Sequence, residues 1–473
     1  MSREKSLIVN TLVLLLGKLL PRAVSIITLP IITGYLTKAE LGSHDLVTTL
    51  VSFLIPIATL QIQSAAFRFL IDYRGNDIKT KEVFSNIFIV IVPVSFIVST
   101  GLYFFLPFII PNLIQSVKLL ITFYFFFDSI RNALGQTARG LGNNKAYSQS
   151  AILVSFMSCL CTIVLVKLNN LGLFGVMVGA AGSELAAIVF LALKIRANRY
   201  FDPTLVSIVK IREMIGYSWP MVPNNLSNWV LKMSDRLVIT SFLGIEANAV
   251  YAVANKIPNL LSIAQSILIM AWQENASIAV KDHDADQYFS KMFNLIFTLM
   301  IGINAVLIGF TPYLFKLLIK GDYGEAYFQI PLLNIGMFFY VMSAFLGGIY
   351  IAHKKTKSIG ITTMIAAVIN LVIDFLFVNR IGITAGSLST LIAYLVLYIY
   401  RTHNVSQFQP MDFHIRKQLC LYLISGVMLV ICYIHNTYLD IFNCIFGIVL
   451  FFALNKTVVM KIFGKMKKTA RQR

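Results

Sequence analysis

Charge is scarce in this sequence. Only 13% of its 473 residues are Asp, Glu, Lys or Arg, and the 21 acids are outnumbered by 40 bases. So few charges cannot solvate a chain of this length, and a hydrophobic content of 57% with a mean hydropathy of +0.76 excludes a water-soluble globule. Cysteine is sparse as well. Cys159, Cys161, Cys420, Cys432 and Cys444 are odd in number, lie in or beside apolar spans and have no metal-ligand spacing with histidine, so they read as small core residues. The six histidines (His44, His283, His353, His403, His414 and His435) stand singly at span ends or in loops, which gives zinc no foothold. Long exported loops are missing too, none exceeding about 12 residues, which leaves no room for an extracytoplasmic catalytic domain.

What the chain does have is a succession of apolar runs, each near the roughly 20 residues that cross a bilayer as a helix. Fourteen spans are expected: 7–35, 45–71, 84–110, 117–139, 147–166, 171–194, 214–243, 247–273, 289–319, 326–352, 358–378, 383–401, 417–434 and 439–462. The first exceeds a signal-peptide core in length and shows no small-residue cleavage pattern, so a retained helix is expected. An even number puts both termini on one side.

On that alternation 27 loop and tail Lys and Arg fall on the side of the termini and six on the other, Lys38, Lys118, Lys167, Lys316, Lys320 and Arg380. The bias predicts cytoplasmic termini. It also accounts for much of the net charge of +19 without invoking nucleic acid. The tail KIFGKMKKTARQR reads as a topology determinant and solvated tail, with binding to anionic lipid headgroups as the other reading.

The longest break, RANRYFDPTLVSIVKIRE from Arg196 to Glu213, separates the first six spans from the next six. YLTKAELGSHDLVTTL (Tyr35 to Leu50) is weakly like SFLGIEANAVYAVANK (Ser241 to Lys256), each a helix end, an acidic turn at Glu40 or Glu246 and a new helix. A tandem repeat of parallel topology follows, of the kind transporters use. The expected organisation is an N-terminal six-helix lobe over 1–202, a second over 203–410, and two extra transmembrane helices with a basic tail over 411–473.

Seven bases remain inside spans: Lys18, Arg22, Arg68, Arg131, Lys232, Arg236 and Lys256. Five acids accompany them: Asp128, Glu184, Asp235, Glu274 and Asp374. A Lys, Arg or Asp near a helix centre costs about 2.5–3.5 kcal/mol on insertion scales, so these groups should face one another or a watery cavity. Lys18 and Arg22 are four residues apart, as are Lys232 and Arg236, and Asp235 is placed to pair with Lys232. One basic face per lobe suits an anionic group such as a phosphate or pyrophosphate. Lys18, Arg22, Lys232 and Lys256 are read as the deepest. Arg68 and Arg236 either line the cavity or snorkel to an interface, and Arg131 either lines it or pairs with Asp128. Glu274 reads as an interface residue. Asp374, with Asn370 one turn away, is either a coupling-ion site or a hydrogen-bonded helix contact. Pro21 and Pro30, and Pro220 and Pro223, mark the first and seventh spans as candidates for bending.

These residues also carry a family resemblance. YSWPMVPNNLSNWVLKMSDRLVITSFLGIEANAVYAVANKI (Tyr217 to Ile257) is similar to the seventh and eighth helices of Wzx-type polysaccharide flippases, with their "sDR", "lG" and "vGiYsva" pattern. HKKTKSIGITTMIAAVINLVIDFLFVNRIGITAGSLSTLIAY (His353 to Tyr394) resembles their "kkT…ilNlllN…GAaiaT" region, and the opening NTLVLLLGKLLPRAVSIITLPIITGYLTKAELGSHDLV also fits. The chain departs from the pattern at Ala249 and Val250, where a glycine is usual before the tyrosine, and at Asp374, where a second asparagine is usual.

The resemblance implies the multidrug/oligosaccharidyl-lipid/polysaccharide exporter superfamily and an all-α, MATE-like, two-lobed fold with two added helices. It further implies a multi-pass protein of the bacterial cytoplasmic membrane that flips an undecaprenyl-diphosphate-linked oligosaccharide for capsule, O-antigen or exopolysaccharide synthesis. A polysaccharide polymerase and a chain-length regulator would be its partners beside membrane lipids. No cofactor is expected, and coupling to a Na+ or H+ gradient through Asp235, Asp374, Asp128 or Glu184 stays open. A lipid II flippase of the same fold is the near alternative, and a membrane polysaccharide polymerase the alternative of another class. A cation antiporter would want acids in the first helix, where Lys18 and Arg22 stand. No nucleophile–base pairing argues for an enzyme.

Overall fold

A computed structural model describes the backbone of residues 3–280 and 282–471, and their side chains except at 3–12, 267, 270, 271, 274, 356, 457–459 and 461–471. Glu274 and the loop and tail bases Arg3, Lys5, Lys281 and Lys461 to Arg473 therefore lie outside the described side chains.

Every apolar span is helical. In chain order the helices are α1 (Arg3–Tyr35), α2 (Lys38–Ala58), α3 (Ile62–Asp72), α4 (Asp77–Ile109), α5 (Gln115–Gly140) and α6 (Asn144–Cys161), the last prolonged by a π-helical segment, Thr162–Leu168. There follow α7 (Gly172–Ile195), the single turn α8 (Ala197–Tyr200), α9 (Ile208–Ser218), α10 (Met221–Leu243), α11 (Ile245–Ala254) and α12 (Asn259–Ala279). The rest are α13 (Ala285–Leu318), α14 (Gly324–Ala352), α15 (Thr356–Ile381), α16 (Thr384–Ser406), α17 (Ile415–Ile434) and α18 (Thr437–Arg471).

Among the described residues ten helices are long and apolar enough to cross a membrane by themselves. The other four of the expected spans correspond to α5, α9–α10, α11–α12 and α16. These hold Asp128 and Arg131, then Lys232, Asp235 and Arg236, then Lys256, then Arg401, so they need neighbours to shield their charges.

Three expected spans are interrupted. The second breaks at Thr59–Gln61, where Leu60 (φ 47°) and Gln61 (φ 57°) turn left-handed and the Thr59 hydroxyl accepts the Gln61 N–H at 3.3 Å. The seventh breaks before Pro220 and the eighth at Asn255–Pro258, where proline cannot supply the ladder N–H. Pro220 therefore separates α9 from α10, whereas Pro21 and Pro30 sit within an uninterrupted α1.

The chain divides into two compact units, Met1–Trp229 and Val230–Arg473, the division falling inside α10. In the first unit α3, α4 and α5 bury Ile62, Ala65, Leu70, Val83, Ile87 and Ala133 together with Met214 of α9. The Arg196–Glu213 segment is pinned to this unit. Asp202 N–H donates to Ser85 Oγ (2.7 Å), Asn86 donates to Leu205 O (3.1 Å) and accepts from Ser207 N–H (2.8 Å), and Lys210 Nζ donates to Tyr73 OH (3.0 Å) and Glu213 Oε2 (2.9 Å). Burial works against the Lys210 ammonium, but those hydrogen bonds outweigh it and raise its pKa. Trp229 closes the unit by donating its Nε1–H to Ser52 Oγ (2.9 Å) and Thr49 O (3.2 Å).

Glu40 ties the entry of α2 to that of α7. Its Oε2 accepts from Thr37 N–H and Oγ (both 2.9 Å), and its Oε1 accepts from Leu173 N–H (2.9 Å). A Cβ on Gly172 (φ 51°) would lie 2.0 Å from Glu40 Oε1, so only glycine fits beside it. Glu40→Ala strips an acceptor from two helix entries and is expected to cost about 1–2 kcal/mol. An unchanged melting temperature in detergent would remove Glu40 from the fold's supports.

The second unit has an aromatic core in which Phe289, Phe293, Phe297, Phe338 and Phe345 are buried and Trp272 stacks on Phe345 with centroids 4.1 Å apart. α18 lies against α13 at backbone distance, since a Cβ on Gly309 would meet Asn443 O at 2.6 Å and one on Gly447 would meet Ala305 O at 2.8 Å. Arg401, expected in a loop, is instead 5% exposed. It donates to Ser343 O (2.8 Å), Thr362 Oγ (3.1 Å) and Thr363 Oγ (3.0 Å), because α16 runs one turn past its expected end and turns this side chain onto α14 and α15.

Candidate functional site

In the first unit, α1 spans 33 residues, about 50 Å at 1.5 Å per residue, against a hydrocarbon core of about 30 Å. A Cβ on Gly17 would lie 2.6 Å from Cβ of Ser148, which is one turn into α6. Lys18, next in the chain, is exposed beside the opening turns of α6, and Arg22, one turn on, is half-buried.

Arg131 is held between two acids. Its Nη2 donates to Asp128 Oδ1 at 2.6 Å and its Nε donates to Glu184 of α7, with side-chain exposures of 19%, 13% and 6% for Arg131, Asp128 and Glu184. The intrahelical pair with Asp128, one of the two readings open for Arg131, is present, and Glu184 joins it from the neighbouring helix. Arg68 pairs with Asp72 on the half-exposed face of α3, a placement in which an ion pair contributes little.

In the second unit α10 has two chemical faces. Leu231, Ser234, Asp235, Val238 and Ile239 are buried, whereas Lys232 is exposed and Arg236 half-buried. Lys232 and Asp235 do not pair. The Lys232 ammonium lies 4.7 Å from the Tyr340 ring centroid. Asp235 turns inward, where its Oδ2 accepts from Tyr251 OH (2.5 Å) and Thr390 Oγ (2.6 Å). Lys256 is exposed in the α11–α12 break.

Asp374 lies beside Asp235 within electrostatic reach. Ser389 Oγ donates to Asp374 Oδ1 (2.6 Å), Asn370 donates to Ser389 Oγ (3.1 Å) and accepts from Ser234 Oγ (3.1 Å). Gly386 O is 3.1 Å from Tyr251 OH. The two carboxyls are 3% and 1% exposed, and Asp235 Oδ1 and Asp374 Oδ2 are buried with no hydrogen bond to any other described residue, while the two carboxyls lie within hydrogen-bonding reach of each other. Among the described residues no base is bonded to either. Two ionised carboxylates so placed would leave a double negative charge in low dielectric, so the arrangement calls for a shared proton or a small hard cation held by oxygen donors.

Sequence reasoning missed Tyr251, Ser389 and Thr390, polar residues of ordinary types that only packing brings to Asp235 and Asp374. It also missed Arg139, counted among the loop bases, whose charge acts on Lys18 together with that of Arg22.

The chain matches a family model described as polysaccharide biosynthesis protein over residues 7–275. An uncharacterized membrane protein of Methanocaldococcus jannaschii, MJ1068, is 22% identical over 466 residues, covering 90% of this chain and 89% of that one. The lipid II flippase MurJ in an inward closed conformation superposes with a TM-score of 0.70 at 15% identity, covering 94% of this chain and 98% of MurJ. An inward-facing multidrug resistance MATE family transporter of the MOP superfamily gives a TM-score of 0.68 at 15% identity, covering 83% and 95%. Together with the all-helical fold, these findings make the chain a member of the polysaccharide biosynthesis protein family, built on the fold of the multidrug/oligosaccharidyl-lipid/polysaccharide exporter superfamily.

Proposed function

We propose that the protein is a flippase that moves an undecaprenyl-diphosphate-linked oligosaccharide from the cytoplasmic to the outer leaflet of the bacterial cytoplasmic membrane by alternating access, for capsule, O-antigen or exopolysaccharide assembly. The observation that carries the reading is α10, which exposes Lys232 with only an aromatic ring as its described partner while it buries Asp235 on its other side. An exposed base within an apolar helix suits the diphosphate, and a buried acid pair suits a Na+ or H+ coupling ion. One rigid helix that carries both groups gives the two ligands a common element to bias, so each can favour the same state by differential binding. No bond is made or broken. The cytoplasmic side of the termini rests on the loop charge bias, and the family's link to polysaccharide synthesis supports the substrate class.

The test is complementation of a deletion strain with Lys18→Gln, Arg22→Gln, Lys232→Gln and Lys256→Gln variants of verified abundance. Lost surface polymer with lipid-linked intermediate retained in the inner leaflet is the expected result. Normal polymer from all four would sink the role of the bases. Intermediate that reaches the outer leaflet unpolymerised would point to a polymerase, and accumulation of peptidoglycan precursor to a lipid II flippase.

A further inference from the structure

We propose that Tyr340 of α14 recognises the first sugar of the lipid-linked substrate, as an aromatic platform that Lys232 covers until the diphosphate draws its ammonium away. This role rests on the flippase reading and adds to it the residue that reads the glycan. Tyr340 ends a run of three aromatics in α14. Phe338 and Phe339 are buried in the core of the second unit, whereas Tyr340, the one with a polar end, is left half-buried. The Lys232 ammonium lies 4.7 Å from its ring centroid. The same ring packs on Tyr394 of α16 with centroids 4.9 Å apart and planes at 41°. Tyr394 is 3% exposed and donates its hydroxyl to Leu231 O of α10 at 3.4 Å. Among the described residues the Tyr340 hydroxyl makes no hydrogen bond.

Each contact bears on a ligand. Tyr394 anchors the ring from α16, so the platform keeps its place whether or not Lys232 covers it. An ammonium over an open ring is held more weakly than one hydrogen-bonded to a phosphate oxygen, so an arriving diphosphate takes Lys232 and uncovers the ring. The face then exposed is electron-rich, and one side of a pyranose presents C–H bonds whose positive ends suit it as the ammonium did. The free phenol hydroxyl at the edge of the ring meets a ligand that carries hydroxyls of its own. Because the first sugar is bonded directly to the diphosphate, a phosphate held by Lys232 brings that sugar onto the ring the ammonium has left. Lys232 and the sugar thus occupy the platform in turn, and the glycan is read only after the diphosphate is bound.

The experiment measures binding to the full-length protein in phosphatidylcholine nanodiscs of a bare polyprenyl diphosphate and of the same lipid carrying one glucose, galactose or N-acetylglucosamine. The wild type is expected to bind at least one sugar-bearing lipid about 5-fold more tightly than the bare diphosphate, the worth of one aromatic stacking contact. Tyr340→Leu should erase that preference while its affinity for the bare diphosphate stays within about twofold of the wild type or rises, because Lys232 loses its resting place. Tyr340→Phe keeps the packing on Tyr394 and the stacking face but not the hydroxyl, so its preference should be intermediate. A misfolded variant would lose the bare diphosphate as well, and Tyr340→Phe then carries the test. A sugar preference undiminished in both variants would overturn the platform, as would a wild type that binds bare and sugar-bearing lipids equally. Failure of the wild type to bind any of these lipids would instead overturn the flippase reading itself.

Discussion

Asp235→Asn and Asp374→Asn are each expected to abolish the dependence of transport on the coupling ion while leaving the protein in the membrane. Each removes one negative charge from a pair whose Asp235 Oδ1 and Asp374 Oδ2 have no other partner, and asparagine keeps the size and the polar contacts with Tyr251, Thr390 and Ser389. Coupling free energies of about 1–3 kcal/mol correspond to about 5- to 150-fold in affinity, and that factor should vanish. The measurement is affinity for a diphosphate-lipid analogue with and without Na+, across a pH series. If Na+ is the ion, wild-type affinity rises with Na+ and acid competes with it. If a proton is the ion, pH alone moves affinity and Na+ does nothing. Both dependences should be flat in either variant. A variant that keeps the full wild-type dependence would reduce the cluster to a hydrogen-bonded helix contact, the other reading open for Asp374.

Arg131→Met is expected to act on stability rather than on substrate. It leaves Asp128 and Glu184 facing each other in the first unit without their shared guanidinium, and removal of one partner from a buried ion pair costs about 3–5 kcal/mol. Abundance in the membrane and melting temperature should both fall. Adding Asp128→Asn and Glu184→Gln to the Met variant should restore most of the loss, because no uncompensated carboxylate then remains buried. If Arg131→Met melts like the wild type yet loses diphosphate-lipid binding, Arg131 is a substrate ligand and the two acids merely orient it.

The same contrast runs through the other charged positions. That Lys232 and Asp235 sit inside an apolar run was plain from spacing, and so was the anomaly of their insertion. Their separation was not, because residues three apart can pair along a helix as easily as turn to different neighbours. Core packing of Leu231, Ser234 and Val238 rotates α10 so that Asp235 meets Tyr251 and Thr390 while Lys232 stays out. Arg401 shows the reverse error, a base beside a span end that reads as loop charge until α14 and α15 enclose it. Arg139 was likewise a topology signal in one dimension and is a neighbour of Lys18 in three.

By itself the amino-acid order determined the membrane class, the helical character of the apolar runs and the family, since the bilayer imposes length and apolarity on each segment separately. Tertiary structure alone decided where spans two, seven and eight break and which charges meet. Hydrogen bonds and ion pairs act over about 3 Å. Which side chains come within that distance is set by the rotation and height of whole helices, which no single segment specifies.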